Sequence, residues 1–256
     1  MGELSEIAKE LNLPKQLLDK GEKVIKAVLG PSVSQISETF ADNFRLRRFK
    51  NQIKILTKAQ EHIEKLGFDP KQVNLKVLAP LVQLSSLEEN IELQERWAKL
   101  ITNIVKIEGQ TLLKQNSIEI ISKISNEEAQ LIDFLYDYFI QKRLKRFQND
   151  NRTPSLYPSI KKKELEDYPL KWFSFLLTDI SKKRKISIAE LELMISNLTT
   201  LGVIKWDPEV EVYNAEKSYT DPEDTSLDID IEVYDSETIK LTNLGFEFVK
   251  ICRLKK

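Results

Sequence analysis

Apolar side chains recur at steps of three and four residues along most of the chain, the spacing that gathers one face of an α-helix. A short helix is expected over residues 3–11. A second enters at Pro14, a good first helical position because proline lacks the N–H that would go unpaired there. Leu17, Leu18, Val24, Ile25 and Val28 give it an apolar stripe. Gly30-Pro31 ends that helix, and a long one follows over about 32–66, with Val33, Ile36, Phe40, Phe44, Ile53, Leu56, Ile63 and Leu66 as its apolar positions. Gly67 closes it. Asp69-Pro70 is expected to cap a short helix, and another runs through Leu75, Leu78, Leu81, Val82 and Leu84. Ser86-Leu87-Glu88-Glu89 has the form of a capping box, with the helix it would start carrying Ile91, Leu93, Trp97, Leu100, Ile101 and Ile104. With a further helix near 113–123, residues 1–124 read as an all-helical domain.

The second half begins in the same way and then changes period. Ser125-Asn126-Glu127-Glu128 forms a capping box for a helix over about 126–147, with Leu131, Ile132, Leu135, Tyr138, Phe139 and Leu144 on its buried face. After a polar loop, a helix is expected at 170–181. Ser187-Ile188-Ala189-Glu190 opens another, which Gly202 stops. Val203–Trp206, Val210–Tyr213 and Asp228–Tyr234 then read as strands, the last alternating acidic and apolar residues like a strand with one wet face. Ile239-Lys240-Leu241 is extended, and Thr242 caps a closing helix. The fold class is therefore mainly α: an all-helical N-terminal domain, then a winged-helix-like α+β domain over 125–256 with an acidic wing. The junction at 123–126 carries a cap and no Gly/Ser linker.

Composition agrees with a globular chain. Of 256 residues, 41% are hydrophobic and 31% charged, too apolar a balance for a disordered polymer. Only 7 Gly and 9 Pro argue against a many-stranded sandwich. Cys252 is the single cysteine, so no disulfide can close within the chain, and a cytoplasmic location is expected. The acidic opening Met1-Gly2-Glu3-Leu4-Ser5-Glu6 fits neither a secretory leader nor a myristoylation signal, and no apolar run has the length of a membrane span.

The net charge of -1 hides strong segregation. Residues 45–58 hold Arg45, Arg47, Arg48, Lys50, Lys54 and Lys58 with no acid. Residues 142–163 carry eight basic residues, Lys161, Lys162 and Lys163 among them, against Asp150. Residues 205–237 reverse the sign, with twelve acids against Lys205 and Lys217. Blocks of this kind mark interaction surfaces and not folds.

Several stretches together carry a family resemblance. They are Leu29-Gly30-Pro31, Phe49-Lys50-Asn51-Gln52-Ile53-Lys54-Ile55-Leu56, Leu78-Ala79-Pro80-Leu81, Ser86-Leu87-Glu88-Glu89, Leu93-Gln94-Glu95-Arg96-Trp97-Ala98-Lys99-Leu100 and Leu241-Thr242-Asn243-Leu244-Gly245-Phe246-Glu247-Phe248. Over most of its length the chain resembles the Abi-alpha (abortive infection alpha) family of bacterial proteins. The resemblance implies a setting, antiviral defence in which a phage-infected cell stops growing or dies. It brings no catalytic motif to carry across.

Residues with chemistry of their own are few. His62 is the one histidine, so a site of two or three helical ligands has no second imidazole to draw on, and a surface histidine is expected. Cys252 reads as a partly buried thiol that packs like a small hydrophobe. Neither G-x-x-x-x-G-K-[ST] nor G-x-G-x-x-G occurs, and the acidic clusters lack the spacing of a calcium loop. No cofactor, metal or catalytic residue is therefore expected, and the chain is read as no enzyme.

What remains is charge. The expected interaction residues are Arg45, Arg47, Arg48, Lys50 and Lys54 on the long helix. Lys161, Lys162, Lys163, Lys182, Lys183 and Arg184 are expected to contact nucleic acid or a protein partner. Asp221, Glu223, Asp224, Asp228 and Asp230 belong to the acidic wing. The helix expected to enter a DNA groove, 188–201, carries Glu190 and Glu192 and no Lys or Arg. Protein–protein contact or self-assembly is thus expected ahead of nucleic-acid binding, with a nucleic-acid-binding winged-helix regulator as the alternative.

Overall fold

The computed structural model describes residues 43–150, 173–207, 209–214, 229–234 and 237–254. The helices expected before residue 43 lie outside these. Among the described residues the chain is mainly helical, with eight helices and five short strands. They form two compact units. One ends at Phe134 and takes back the stretch from Phe246 onward; the other runs from Leu135 to Gly245. By compactness the division falls inside a helix, at 134/135, whereas the capping pattern places it at 124/125.

The first unit is built on helices α1 (Asn43–Leu66), α2 (Leu75–Ser85), α3 (Ile91–Lys106) and α4 (Thr111–Lys123). Ile53, Leu56 and Ile63 of α1 are buried, as the periodicity expects, together with Phe49, Ile55 and Ala59. Gly67 ends α1 at φ 65°, its N–H donating to the Ile63 carbonyl at 2.9 Å. On α3, Trp97, Leu100, Ile101 and Ile104 are almost wholly buried. Pro80 stands inside α2 without an N–H for the Lys76 carbonyl, and the Gln115 side-chain amide of α4 reaches that oxygen at 3.5 Å.

Two expected starts shift. Asp69-Pro70 opens no helix: the segment stays irregular, and the Lys71 N–H is drawn to the Val105 carbonyl at 2.8 Å instead. Ser86 does not cap α3. It ends α2, its hydroxyl donating to the Gln83 carbonyl at 2.6 Å, while Asn90 caps α3 by accepting from the N–H groups of Glu92 and Leu93.

Helix α5 (Asn126–Asp150) starts on the capping box read from the sequence. The Ser125 hydroxyl accepts from the Glu128 N–H at 3.1 Å, and a Glu128 carboxylate oxygen accepts from the Ser125 N–H at 2.7 Å. The second unit continues with β1 (Phe175–Leu176), α6 (Leu177–Arg184), α7 (Ile188–Thr200), β2 (Ile204–Trp206), β3 (Glu209–Asn214), β4 (Ile229–Tyr234) and β5 (Thr238–Leu241). Helix α8 (Asn243–Ile251) follows. Strands β1, β5 and β2 form an antiparallel sheet in that order, and β3 pairs with β4. The helix expected at 170–181 is therefore corrected. Phe175 and Leu176 pair with Ile239 and Thr238, the Leu177 N–H donates to the Glu237 carbonyl at 2.9 Å, and only then does α6 begin. Inside this unit Leu135 and Phe139 of α5, Ile180 of α6, Leu191, Ile195 and Leu198 of α7, and Ile239 and Leu241 of β5 are buried.

Candidate interaction surface

A helix turns about 100° per residue, so positions three and four apart share a face. On α1 that rule sorts the basic residues into two sets. Arg47, Lys50 and Lys54 are exposed and follow one another at steps of three and four. Arg48 is turned the other way, its Nε donating to the Ser86 hydroxyl at 2.9 Å and its terminal nitrogen to the Gln83 carbonyl at 3.3 Å. Arg48, a member of the expected interaction set, is thus also a packing residue of the first unit. The Arg45 side chain lies outside the described residues.

Behind the exposed row, a polar network locks α1 to its neighbours. The Asn51 amide donates to the Ser86 carbonyl at 3.2 Å, and the Gln52 amide to the Val82 carbonyl at 2.9 Å. Gln94 of α3 donates to the Glu88 carbonyl at 2.8 Å and reaches Asn51 Oδ1 at 3.4 Å. Buried amides satisfied in this way hold one geometry, because an unpaired one is costly. Glu88, beside this network, has its carboxyl pKa raised above the ordinary 4.5, first by burial, against the lowering effect of the Asn90 N–H. The sequence reading missed Asn51, Ser86 and Gln94 as the residues that position the basic face. Their partners are tertiary, and the one available signal was their presence in the stretches that carry the family resemblance.

Toward the C-terminal end of α1 the charge is neutralised. Glu95 of α3 accepts from His62 Nε2 at 2.9 Å, with Lys99 at 3.5 Å and Lys58 at 3.7 Å. His62 is therefore hydrogen-bonded to the carboxylate that Lys58 and Lys99 share. No carboxylate among the described residues comes within ion-pair distance of Arg47, Lys50 or Lys54. Among the described residues the row is a positive strip with no acidic partner.

Cys252 is buried, and its thiol pKa is pushed up to about 12, mainly by desolvation. A thiol in that state is no nucleophile near neutral pH. Among the described residues no three His, Cys, Asp or Glu side chains gather as a metal site would require, and no helix is long and apolar enough to cross a membrane.

In the second unit, Lys182 and Lys183 are exposed on α6, and Arg184 is half-buried. Lys183 Nζ stands 4.0 Å from the centre of the Tyr138 ring, and Lys142 Nζ 5.2 Å. Helix α7 presents Glu190 and Glu192 to solvent, with no Lys or Arg between Ile188 and Thr200. Lys161, Lys162, Lys163, Asp221, Glu223, Asp224 and Asp228 lie outside the described residues. Asp230 is placed by its backbone in β4, opposite Tyr213.

Comparison with known proteins returns one family: the model described as Abortive infection alpha matches residues 43–252. No curated protein and no solved structure matches the chain.

Proposed function

The chain belongs to the Abortive infection alpha family, and from that premise we propose that it is a non-enzymatic, cytoplasmic antiphage protein that acts by protein contact, most simply by self-assembly. The observation that carries this reading is the strip Arg47–Lys50–Lys54, exposed on one face of α1 and unneutralised among the described residues. Like charges at three- and four-residue spacing repel, by a few tenths of a kcal/mol per pair. An opposing acidic surface removes that cost and sets orientation and approach rate. The chain carries a matching run of acids in its own sequence, the twelve between 205 and 237. A strip on one copy meeting the acidic wing of the next would join copies head to tail, a heterologous contact that closes a ring or extends a filament.

The C-terminal part is proposed as a winged-helix module turned to protein contact. The order β1-β5-β2 with α6 and α7 between β1 and β2, and the β3–β4 ribbon between β2 and β5, supports that assignment. The two carboxylates on the outward side of α7 argue against its reading a DNA groove, where phosphates would repel them.

Phage challenge of bacteria expressing the protein tests the reading. Replacing Arg47, Lys50 and Lys54 together by Glu should abolish protection while the protein accumulates to the same level. Full protection by that variant would refute it.

A further inference from the structure

The second unit carries a basic surface of its own. Two elements remote in sequence bring their ammonium groups to one phenol: Lys142 from α5 at 5.2 Å and Lys183 from α6 at 4.0 Å from the Tyr138 ring centre. Those distances keep the two charges within one Debye length of each other at about 0.1 M ionic strength. Lys145, Lys182 and Lys185 are exposed nearby in sequence on the same two segments. Lys185 ends α6 at φ 57°, a conformation that glycine or asparagine adopts at less backbone cost. None of the five lysines forms an ion pair with a carboxylate among the described residues.

Cations converging from separate elements on one patch suit a chain of phosphates. We propose that the α5–α6 face around Tyr138, Lys142 and Lys183 binds the phosphodiester backbone of nucleic acid without regard to sequence. Sequence indifference follows from the fold. The helix that would read base edges, α7, shows solvent two carboxylates and no cation, so only the phosphate contribution operates. The phenol is affected as well: Lys183 first, then Lys142, hold the Tyr138 pKa below the ordinary value of 10.0. A phosphate seated between the lysines would offset their charge and let that pKa rise.

Fluorescence anisotropy of the full chain tests this, with a fluorescein-labelled oligothymidylate and a mixed-sequence duplex titrated across a range of salt. Wild type should bind both at low salt and release both as salt rises. Lys142→Glu with Lys183→Glu should weaken binding about tenfold or more, and the milder Lys142→Gln with Lys183→Gln should flatten the log–log salt slope by about one per lysine removed. Circular dichroism of both variants should match wild type. The proposal is overturned if wild type ignores both oligonucleotides at low salt, or if the folded Gln variant binds with an unchanged slope. Capture by phosphatidylglycerol vesicles with no oligonucleotide binding would equally overturn it and assign the face to a membrane surface.

Discussion

The backbone of Gly245 rests against the carbonyl of Val203, at the point where the chain leaves β5 and starts α8. A Cβ on Gly245 would fall on the Val203 carbonyl oxygen, and would stand 2.9 Å from its carbonyl carbon and 3.0 Å from its Cγ1. The same carbonyl accepts from the Thr242 N–H at 3.0 Å, so it is held in place and cannot retreat cheaply. Gly245→Ala is therefore expected to cost about 1–3 kcal/mol, the usual range for overpacking. Urea unfolding of the variant against wild type measures it.

Asn103 secures the other end of α8. Its amide donates to the carbonyls of Ile251 at 2.7 Å and Arg253 at 2.9 Å, which have no further helical turn to receive them. Arg253 in turn donates to Asp133 at 2.9 Å, and Asp133 also pairs with Arg96. Asn103→Ala should cost about 1–3 kcal/mol, because both carbonyls lose a part-buried donor. Amide hydrogen exchange in residues 248–253 should accelerate more than in α3 itself.

Cys252 offers a chemical check on the packing beneath that cap. With its thiol pKa pushed up to about 12 by burial, the thiolate is scarce in the native state at neutral pH. Iodoacetamide should leave the folded protein unmodified and alkylate it only at the rate of unfolding. Rapid labelling of native protein would contradict the buried placement.

Glu88 gives a pH dependence of known sign. Its folded pKa is raised above 4.5, chiefly by burial, so the folded state holds that proton more tightly than the unfolded chain. The stability this contributes is present below pH 4.5 and is lost as pH rises through the folded value. Glu88→Gln keeps an acceptor for the Asn90 N–H and removes the buried charge. The variant should gain stability relative to wild type at neutral pH, and the gain should vanish below pH 4.5.

Periodicity and capping chemistry carried the sequence reading where structure is local. Ser125–Glu128 forms the box expected of it, and the Ser187 hydroxyl accepts from the Glu190 N–H at 3.2 Å. The row Arg47–Lys50–Lys54 follows from helical phase alone. Reading failed where a distant partner outbids a local one. Ser86 has the spacing of a cap, but its hydroxyl is taken by Gln83 and Arg48, and Asn90 supplies the cap instead. Strand β1 is two residues long and exists because β5, over sixty positions later, offers an edge. The meeting of Tyr138 with Lys183 has the same origin, since no spacing rule joins two helices separated by a polar segment.

The central claim, that the strip on α1 joins copies of the chain, is tested most directly by sedimentation velocity of the purified protein. Wild type should sediment as a species larger than one chain whose population rises with concentration and falls with added salt. The Arg47→Glu, Lys50→Glu, Lys54→Glu variant should sediment as a monomer with unchanged helical content, since none of the three side chains has a carboxylate partner among the described residues. Arg48 is left in place because it packs against Ser86. A wild-type protein that stays monomeric at every concentration, or a triple variant that assembles as wild type does, would contradict the account.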